Sequence, residues 1–591
     1  MSGIAGFVTA SGAPPHAKTL DDLFAGIAHR GRDGEGRYVK GGVGLVHARL
    51  AIVDLKGGQQ PFQGPNGTAL VADGEIYNSP ELRRAFPNAP FATNSDCEVP
   101  LYVYERDKIE FARALRGMYA MALYEPAEST LLLSRDVFGI KPLYYAETPQ
   151  GLAFASEARA LLKAKLVPPG IRDEAVGELL QLQFTTGRDT IYPGIKRVLP
   201  GETLIVRRGK VVARHRAPSP IEGEVERISE SDALQRLTQV LNDSVDVHRR
   251  ADVPLGVFFS GGIDSSVLLS VVARQSDKPV RAYTAFYPGA DVGDDHDHAG
   301  HVARALGADH ILVPITAEQF WSRLPAIVSA IDDPAADYAI VATYLLAEEA
   351  AKDVKVVLTG EGGDELFGGY GRYRSVVRPL WLGGRAMRAK GHLEGLGVLR
   401  DDGPAWRDGI VAVERRLADV PGTRLQRAQA LDSADWLPND VLIKLDRCLL
   451  AHAVEGRVPL LDPAVAAASY RLPDELKISR GAGKYLLRKW LDGQVPAANA
   501  FGRKRAPTVP IGAWITLQGA ALGPLVAKVE GVRRACLADR VEALFRSAGR
   551  SRDKHATMGA WLLLFYALWY RIHIEGVAGD GDVMSTLSAQ P

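Results

Sequence analysis

The chain has 591 residues, which is too long for a single hydrophobic core, so we expect two or more domains. Hydrophobic residues make up 46% and charged residues 24%, proportions typical of a globular protein rather than a disordered or fibrous one. The 71 Lys and Arg residues nearly balance the 70 Asp and Glu residues, so no strong basic charge favours binding to nucleic acid or to a membrane surface.

Short strand-like runs separated by Gly, Pro, Asn and Asp fill the first 205 residues. They include "GIAGFV", "TALVADGEIYN" and "MYAMALYEP". Such runs, bounded by turn residues, predict packed antiparallel sheets with a few helices. Residues 206–230 are charged, contain proline and show little periodicity, so we interpret them as the end of a strand followed by a linker.

Strand patterns alternate with helical patterns after residue 230. The run "VPLGVFF" precedes the helical "SSVLLSVVARQ", and "VRAYTAF" precedes "AGHVARALG". This alternation predicts a doubly wound parallel sheet. Helical patterns dominate from about residue 400. The apolar "WLLLFYALWY" (561–570) is only half the length needed to span a bilayer, so it predicts a buried helix.

The three cysteines, Cys97, Cys448 and Cys536, are odd in number and far apart, which argues against a disulfide framework. The first residues lack the basic segment and apolar run of a secretion signal. Both observations favour a cytoplasmic protein.

The stretch "VPLGVFFSGGIDSSVLLSVV" is the strongest local signal for a binding site. An apolar strand leads into Gly-rich and Ser-rich residues at the start of an amphipathic helix. Glycines allow close backbone approach, serines and exposed N–H groups donate hydrogen bonds, and the helix dipole favours an anion. The pattern indicates a phosphate-binding loop, formed by Ser260, Gly261, Gly262, Ser265 and Ser266. It lacks the lysine of the G-x-x-x-x-G-K-[ST] loop, which argues against a kinase or GTPase, and the alternative is an ordinary strand-to-helix turn.

Several motifs resemble those of known families. The loop resembles the pyrophosphate loop of the ATP pyrophosphatases, which cleave ATP between its α and β phosphates and form acyl-adenylates. Segments of glutamine-hydrolysing asparagine synthetases resemble "VKVVLTGEGGDELFGGYGRY", "DWLPNDVLIKLDR", "HAVEGRVPLLDP" and "GKYLLRKWL". The class II glutaminase domain of the same family resembles "HRGRDG", "HARLAIVD", "DGEIYN", "NSDCEV", "RDVFGIKPLYY" and "FASE". The motifs span nearly the whole chain in the family's order.

The resemblance implies an α/β protein with two domains. Residues 1–205 would form an Ntn-type antiparallel β-sandwich with helices, residues 206–230 a linker, and residues 231–591 a doubly wound ATP-pyrophosphatase domain with added helices. It also implies ATP and Mg²⁺ as cofactors, aspartate and ammonia as the first-choice substrates, and a homodimer.

Family roles can be carried over to this chain one position at a time. Asp264 and Asp364 match carboxylates that hold Mg²⁺ on the pyrophosphate, and hard oxygen ligands suit that ion. Lys484 in "GAGKYLLRK" matches a lysine that neutralises charge developing during adenylate transfer. Positions that bind the phosphates or frame the nucleotide match Phe258, Ser260, Gly261, Gly262, Ser265, Ser266, Thr359 and Gly360. An isolated carboxylate would be interpreted as a loop cap or a surface ion pair, and the surrounding motifs are what favour a metal ligand.

Glu361 in "TGEGGDE" distinguishes two branches of relatives. Asparagine synthetases resemble this chain in having glutamate here, where it is suited to handle protons as ammonia attacks the acyl carbon. β-Lactam synthetases, which close a ring on a similar scaffold, carry tyrosine at the matching position. The glutamate therefore predicts an ammonia-using enzyme.

Two residues depart from the class II glutaminase pattern. Those enzymes have Cys directly after the initiator Met, whereas this chain has Ser2. The asparagine expected in the oxyanion hole is Asp73, which precedes Gly74 and has no N–H to donate when ionised. A hydroxyl is also a poorer nucleophile than a thiol, so we predict weak or absent glutamine hydrolysis. An engineered Cys-to-Ser exchange would explain Ser2 alone but not the second change.

The other residues of the glutamine pocket match the family pattern. They are Arg49, Ile52, Val53, Glu75 and Asp96. Two interpretations remain open: the pocket still binds an amino acid, or these residues persist because the fold needs them. In the second case Arg49 pairs with Asp96 and the β-branched residues belong to the core.

The back half departs from the family at two places. Ala506-Pro507 stand where relatives have Gly-Phe, and Leu449-Leu450-Ala451 stand where relatives have Ser-Met-Ala. These changes leave the identity of the acceptor carboxylate open. The first-choice function is an AMP-forming amide ligase that converts aspartate to asparagine with ammonia. The alternatives are a ligase for another carboxylic acid or amine, and a catalytically inactive nucleotide-binding or amino-acid-binding regulatory protein.

Overall fold

The computed structural model describes residues 2–288, 295–401, 403–502, 510–548 and 553–590. Its strands are β1 (Ser2–Thr9), β2 (Gly34–Lys40), β3 (Val43–Arg49), β4 (Phe62–Gln63), β5 (Ala69–Ile76), β6 (Gly117–Glu125), β7 (Thr130–Arg135), β8 (Tyr144–Thr148), β9 (Gly151–Ala155), β10 (Lys196–Arg197), β11 (Glu202–Arg207), β12 (Lys210–Arg216), β13 (Leu255–Phe258), β14 (Arg281–Phe286), β15 (Asp309–Pro314), β16 (Val356–Leu358), β17 (Glu455–Arg457), β18 (Ile478–Ser479) and β19 (Ala482–Gly483).

The α-helices are α1 (Ala17–Ile27), α2 (Ser79–Ala85), α3 (Val99–Asp107), α4 (Ala158–Lys163), α5 (Asp173–Leu182), α6 (Glu230–His248), α7 (Ile263–Arg274), α8 (Asp295–Ala305), α9 (Ala317–Ala330), α10 (Ile340–Ala350), α11 (Gly363–Phe367), α12 (Gly371–Val377), α13 (Asp408–Ala418), α14 (Arg424–Ala434), α15 (Leu442–Leu450), α16 (Pro463–Tyr470), α17 (Asp474–Lys477), α18 (Tyr485–Gln494), α19 (Ile511–Lys528), α20 (Glu530–Ala535), α21 (Ala538–Ala548), α22 (Lys554–His573) and α23 (Val583–Ser588).

The strands β1 to β12 form two antiparallel six-stranded sheets, in the orders β10-β8-β9-β1-β3-β2 and β12-β11-β7-β6-β5-β4. Alternate side chains of a strand face opposite sides of its sheet. In β1, Ile4 and Val8 pack between the two sheets with Leu133, whereas Ala5 and Phe7 join the core that contains α1. The front part is therefore a β-sandwich flanked by helices, which confirms the predicted antiparallel architecture.

The connection between the two halves is shorter than the segment predicted as strand end and linker. Strand β12 lies within that segment but pairs with β11 and so belongs to the second sheet. Residues 217–229, all of which are described, contain neither helix nor strand. Helix α6 then begins after Ser229, whose Oγ accepts a hydrogen bond from the Asp232 N–H at 3.1 Å and so caps the helix.

The back half contains a parallel sheet in the order β15-β14-β13-β16-β17. This confirms the doubly wound sheet that the alternating strand and helix patterns predicted. Strands β14 and β15 follow β13 on one side, and β16 and β17 lie on its other side. The order of the strands therefore reverses between β13 and β16, and ligands bind at such a switch point, beyond the carboxyl ends of the strands.

The last third of the chain is mainly helical, as its sequence pattern predicted. The apolar stretch 561–570 lies in α22, and every residue in it is buried. Its two tryptophans donate their indole N–H groups to carbonyls of the back half, Trp561 to Ala336 at 2.7 Å and Trp569 to Ile331 at 3.0 Å. The helix is therefore part of the core. Across the described ranges, no helix has the length and apolarity needed to cross a bilayer.

Candidate active site

The predicted phosphate-binding loop lies at the switch point, between the end of β13 and the start of α7. Gly261 adopts φ +70°, which favours glycine. The Ser260 hydroxyl accepts from the Gly262 N–H at 3.3 Å and lies 3.1 Å from the Ser265 hydroxyl. A Cβ added at Gly262 would meet only Ser260 Oγ within 4 Å. The backbone at Gly262 is therefore open to an approaching ligand.

Three buried polar atoms around this loop have no hydrogen-bond partner. They are Asp264 Oδ1, Ser266 Oγ and Thr359 Oγ1. Asp264 and Ser266 begin α7, and Thr359 follows β16, the strand that pairs with β13. Buried polar atoms normally have partners, so this cluster of unsatisfied atoms fits a site built for a polar ligand.

Two carboxylates and a lysine meet beside the loop. Lys484 Nζ contacts Asp264 Oδ2 and lies 2.8 Å from Asp364 Oδ1. Lys484 reaches this position from a left-handed backbone conformation, and its N–H bonds the Phe367 carbonyl at 3.0 Å. Gly369 is required here, because a side chain at that position would collide with both Asp364 and Lys484.

The electrostatics of this cluster fit a cation site. Burial raises the pKa of Asp264 to about 6, against the lowering effect of Lys484, and Asp364 and Glu361 raise it further. Carboxylate oxygens are the ligands that Mg²⁺ prefers, and Asp264 Oδ1 still lacks a partner. Within the described ranges, no group of three or more His, Cys, Asp or Glu side chains could hold a metal ion. A cation bound by these two carboxylates would therefore need phosphate oxygens as additional ligands.

A cavity of about 420 Å³ opens over the cluster. Six predicted residues line it: Ser260, Gly261, Gly262, Asp264, Asp364 and Lys484. The others are absent from its lining. Phe258 ends β13, Ser265 and Ser266 lie in the first turn of α7, and Gly360 packs against Asp264, with only 3.0 Å between an added Cβ and the Asp264 Cβ.

Two arginines of the cavity were missed by the sequence analysis. Arg488 Nε bonds the Gly483 carbonyl at 2.9 Å, and Arg374 bonds the Gly481 carbonyl at 2.6 Å. Arg488 lies in the first turn of α18, four residues after Lys484, which precedes that helix in a left-handed conformation; both side chains reach the cavity. Together with Lys484, the arginines make the cavity suited to an anion such as a polyphosphate.

Glu361 is not part of the cavity lining; it lies in the turn before α11, where its charge raises the pKa of Asp264, and its side chain is one-third exposed. Its nearest cation is Lys444 Nζ, 3.8 Å from Glu361 Oε1. Lys444 is also 2.9 Å from Asp337 Oδ2, and the pKa of Lys444 is raised because these carboxylates outweigh the effect of burial. Asp337 and Lys444 thus flank the carboxylate that the sequence assigned to proton transfer.

In the front half, Asp73 is tied to the start of the chain and to a buried arginine. Its Oδ1 accepts from the Ser2 backbone N–H at 3.0 Å, and its Oδ2 accepts from Arg30 at 2.8 Å. Arg30 also donates to the Ser2 carbonyl at 3.1 Å. A side chain on Gly74, which follows Asp73 with φ +148°, would collide with the Met118 carbonyl. Asp73, at the position where an oxyanion donor was expected, is therefore an ionic partner of Arg30.

The same arginine connects the front half to the back half. Arg30 donates to Glu157 at 2.9 Å and to both oxygens of Asp446, at 2.7 and 3.0 Å. Arg447 bonds Asp446 at 2.6 Å and Asp332 at 2.7 Å. The five side chains are buried, and Arg30 and Arg447 lower the pKa of Asp446 against the opposing effect of burial. A continuous ion network therefore crosses from one half to the other.

The remaining residues of the predicted glutamine pocket make structural contacts. Arg49 donates to the carbonyls of Asp54 at 2.6 Å and Leu55 at 3.2 Å, and no Arg49–Asp96 ion pair occurs in the described chain. Asp96 instead accepts from the Ile76 N–H at 2.5 Å.

Further pocket residues face the back half. Glu75 lies 3.3 Å from Arg457, and burial raises the pKa of Glu75 well above its usual range. Ile52 and Val53 pack with Leu450, which with Leu449 departs from the family's Ser-Met-Ala. The other departure, Ala506-Pro507, lies outside the described residues.

Fold and site together define the class of protein. A phosphate-binding loop at the switch point of a parallel sheet, with convergent carboxylates and a lysine, follows a β-sandwich that carries the motifs of an amidotransferase domain. The family model described as "Asparagine synthase" matches residues 236–571, and the one described as "Glutamine amidotransferase domain" matches residues 1–216. The chain belongs to the asparagine synthase family and is a carbon–nitrogen ligase.

Curated relatives include two that match over almost the full length and one that matches in part. A "Putative asparagine synthetase [glutamine-hydrolyzing]" of Mycobacterium tuberculosis H37Rv is 33% identical, over 97% of this chain and 98% of the relative. "Asparagine synthetase [glutamine-hydrolyzing] 1" of Bacillus subtilis is 31% identical, over 96% of this chain and 97% of the relative. "Amidase chry2" of Gibberella zeae is 31% identical, over 64% of this chain and 60% of the relative.

Proposed function

We propose that the protein is an ATP-dependent, AMP-forming amide ligase, with aspartate and ammonia as its first-choice substrates. The observation that carries the proposal is the meeting of Asp264, Asp364 and Lys484 beside an open phosphate-binding loop. A carboxylate substrate would attack the α-phosphate of ATP, forming acyl-AMP and releasing pyrophosphate. An amine would then attack the acyl carbon and release AMP.

The residues of the loop would hold the leaving pyrophosphate. Ser260, Gly261 and Gly262 line the cavity, and the start of α7 favours an anion. Asp264 and Asp364 would hold Mg²⁺, which neutralises phosphate charge when it is bound. Lys484, fixed between them, would stabilise charge that develops as the α–β bond breaks. We also propose Phe258, Thr359 and Gly360 as the frame of the nucleotide.

Glu361 is the group we propose for proton transfer in the second step. It is partly exposed, so a nitrogen nucleophile can reach it. The ion pair between Lys444 and Asp337 fixes the side chain of Lys444 near Glu361. An amine that attacks the acyl carbon must lose a proton, and a carboxylate at this position can accept it.

We propose that the front half hydrolyses glutamine weakly or not at all. Ser2 lacks a thiol, and the Asp73 carboxylate binds Arg30 instead of offering an N–H to an oxyanion. Asp73 also lies 3.0 Å from the Ser2 nitrogen. If Met1 is removed, an adjacent carboxylate favours the ammonium form of the new α-amine, which cannot take a proton from the nucleophile.

A second candidate is a ligase for another carboxylic acid or another amine. The replacement Leu449-Leu450-Ala451 favours it, since Leu450 fills the contact with Ile52 at the border of the two halves. A relative named as an amidase, Amidase chry2, shares 31% identity with this chain. The hypothesis of an inactive regulatory protein is disfavoured, because Lys484 contacts both Asp264 and Asp364 and so all three groups expected for ATP cleavage lie together.

The domain limits, oligomeric state and compartment are part of the proposal. We place the front domain at residues 1–216 and the back domain from residue 230, with 217–229 as the linker, because β12 belongs to the front sheet. A cytoplasmic homodimer follows from the cysteine content and from the family.

The test is a screen of carboxylic acids for ATP-dependent pyrophosphate release, with ammonia and with glutamine as nitrogen donors. We expect aspartate with ammonia to give AMP, pyrophosphate and asparagine in equal amounts, and glutamine to support little turnover. Release with another acid only would select the second candidate. ATP binding without pyrophosphate release with any acid would select the regulatory protein.

A further inference from the structure

A buried amide joins the two segments that carry Asp364 and Lys484. Gln429, on α14, donates from Nε2 to the carbonyl oxygens of Glu365 and Leu366, each at 2.7 Å. Both carbonyls belong to α11, the short helix whose first turn contains Asp364. The Oε1 of the same amide accepts from Lys477 Nζ at 3.0 Å. The amide NH₂ of Gln429 therefore binds α11, and its carbonyl oxygen binds Lys477.

Lys477 is the residue immediately before the hairpin that presents Lys484. It ends α17, and β18 and β19 follow it directly and lead to Lys484. Its Nζ makes a second hydrogen bond, to the Tyr470 carbonyl at 2.7 Å. At the other end of the hairpin, the Lys484 N–H bonds the Phe367 carbonyl of α11. The hairpin is therefore attached to α11 at two points, one at each end.

The lysine is an unfavourable choice for this position on stability grounds. Lys477 and Gln429 are fully buried, and within the described chain no carboxylate lies within 4.0 Å of Lys477 Nζ. A buried ammonium without an ionic partner opposes folding. Burial accordingly lowers the pKa of Lys477 to about 7, although Asp474 raises it somewhat. A methionine of similar size would fill the space without burying a charge, so the lysine points to a role in the geometry of the site.

We propose that Lys477 and Gln429 are positioning residues that set the placement of Asp364 relative to Lys484. This inference rests on the proposed roles of Asp364 and Lys484 in holding Mg²⁺ and the transferring phosphate. Without the pair, the Lys484 end of the hairpin would still bind α11, through its N–H bond to Phe367 and its ion pair with Asp364, but the Lys477 end would lose its hydrogen-bonded link to that helix. The segments that carry the carboxylate and the ammonium would then be held together at one end instead of two.

The test compares two variants that break this link with one matched control. Lys477→Met and Gln429→Leu remove the link from either side. Gln426→Leu, on the same helix, is equally buried and loses hydrogen bonds to Tyr470 and Gly223 and from Thr423, none of which reaches α11. For each full-length variant we would measure acid-dependent exchange of pyrophosphate into ATP over a series of Mg²⁺ concentrations, and thermal unfolding.

We expect both link variants to lose exchange activity, by roughly tenfold to a hundredfold, since small misplacements of catalytic groups have effects of that size. The Mg²⁺ concentration for half-maximal exchange should rise in both and stay unchanged in Gln426→Leu. Lys477→Met should unfold at about the same temperature as the wild type, because it removes a buried charge but leaves the buried Gln429 Oε1 without a donor. A role in stability alone would instead lower the unfolding temperature and leave the Mg²⁺ requirement unchanged.

A further variant separates charge from geometry. Gln429→Glu offers Lys477 an ionic partner but replaces the donor that faces the Glu365 and Leu366 carbonyls. It should lose exchange as Gln429→Leu does. Activity equal to that of the wild type in Gln429→Glu, or an unchanged Mg²⁺ requirement in both link variants, would overturn the inference. Absence of exchange in the wild type with every acid would instead contradict the proposed function.

Discussion

Asp73 and Ser2 allow a quantitative test of the proposal that the front half hydrolyses glutamine weakly or not at all. The change is the pair Ser2→Cys and Asp73→Asn, made singly and together. Ser2→Cys restores only the thiol. Asp73→Asn acts on two functions: it restores a donor for the oxyanion, and it removes the carboxylate that lies 3.0 Å from the Ser2 nitrogen, the expected base. Ser2→Cys alone therefore leaves two functions impaired.

The size of the effect can be worked out from the contacts. One oxyanion-hole donor contributes about 2.7–4 kcal/mol to transition-state stabilisation, or about 10²–10³ in rate. The double variant should therefore hydrolyse glutamine at least roughly a hundredfold faster than Ser2→Cys. Asp73→Asn also removes one charged hydrogen bond from Arg30, which costs about 1.5–3 kcal/mol of stability. The lower end applies, because an asparagine oxygen can still accept and Arg30 keeps Glu157 and Asp446.

The assay is glutamate release from glutamine by the wild type, both single variants and the double variant, each checked by mass spectrometry for removal of Met1. Asparagine formation from free ammonia serves as the control for an intact back half. Rapid hydrolysis by the wild type would refute the proposal that this site is silent. Efficient hydrolysis by Ser2→Cys alone would show that Asp73 does no harm, and would leave the serine as the only defect.

Three further predictions address the back half. Asp264→Asn should abolish turnover because it removes a carboxylate proposed to hold the metal. The wild type should form AMP and pyrophosphate, so stoichiometric ADP and phosphate would contradict the proposed cleavage between the α and β phosphates. Glu361→Gln should suppress amide formation but retain some pyrophosphate exchange, since it affects only the second step; equal loss of both would argue against that role. Lys477 has a pKa of about 7 in the folded protein and 10.5 as its reference value, so the unfolded chain binds more protons between these values. The free energy of unfolding should therefore rise with pH from 7 towards 10, by up to about 1.4 kcal/mol per pH unit relative to the Lys477→Met variant. Urea unfolding of the two proteins at several pH values measures this difference, and parallel curves would show that Lys477 stays charged.

Local patterns in the sequence predicted the elements and the loop of the nucleotide site. The run into Ser260 and Gly261 shows both the end of a strand and the start of a helix, because apolar residues stop where small ones begin. The same reasoning could not find Arg488, because Lys484 precedes α18 in a left-handed conformation and the helical period does not relate the two side chains. The parallel sheet then brings Asp264 and Asp364 together, because neighbouring parallel strands end at the same edge.

Other contacts could not be predicted from local patterns. Arg30 meets Asp73 and Asp446 across 43 and 416 residues of sequence, and no periodicity relates such positions. The sequence showed that Asp73 could not donate to an oxyanion, but it did not show that a buried arginine balances its charge. The role of Gln429 could not be predicted either, because it depends on which distant residues contact its buried amide.

The ion network gives the front half a structural role in the chain whether or not it hydrolyses glutamine. Arg30 bonds Asp446 of the back half with two hydrogen bonds, and Asp446 in turn bonds Arg447. A buried charge left without its partner costs about 3–5 kcal/mol, so loss of the front half would leave Asp446 and Arg447 poorly compensated. Asp73 adds a further carboxylate to Arg30 on the front side. Asp73 therefore helps to anchor the arginine that joins the halves, and this structural role is independent of glutamine hydrolysis.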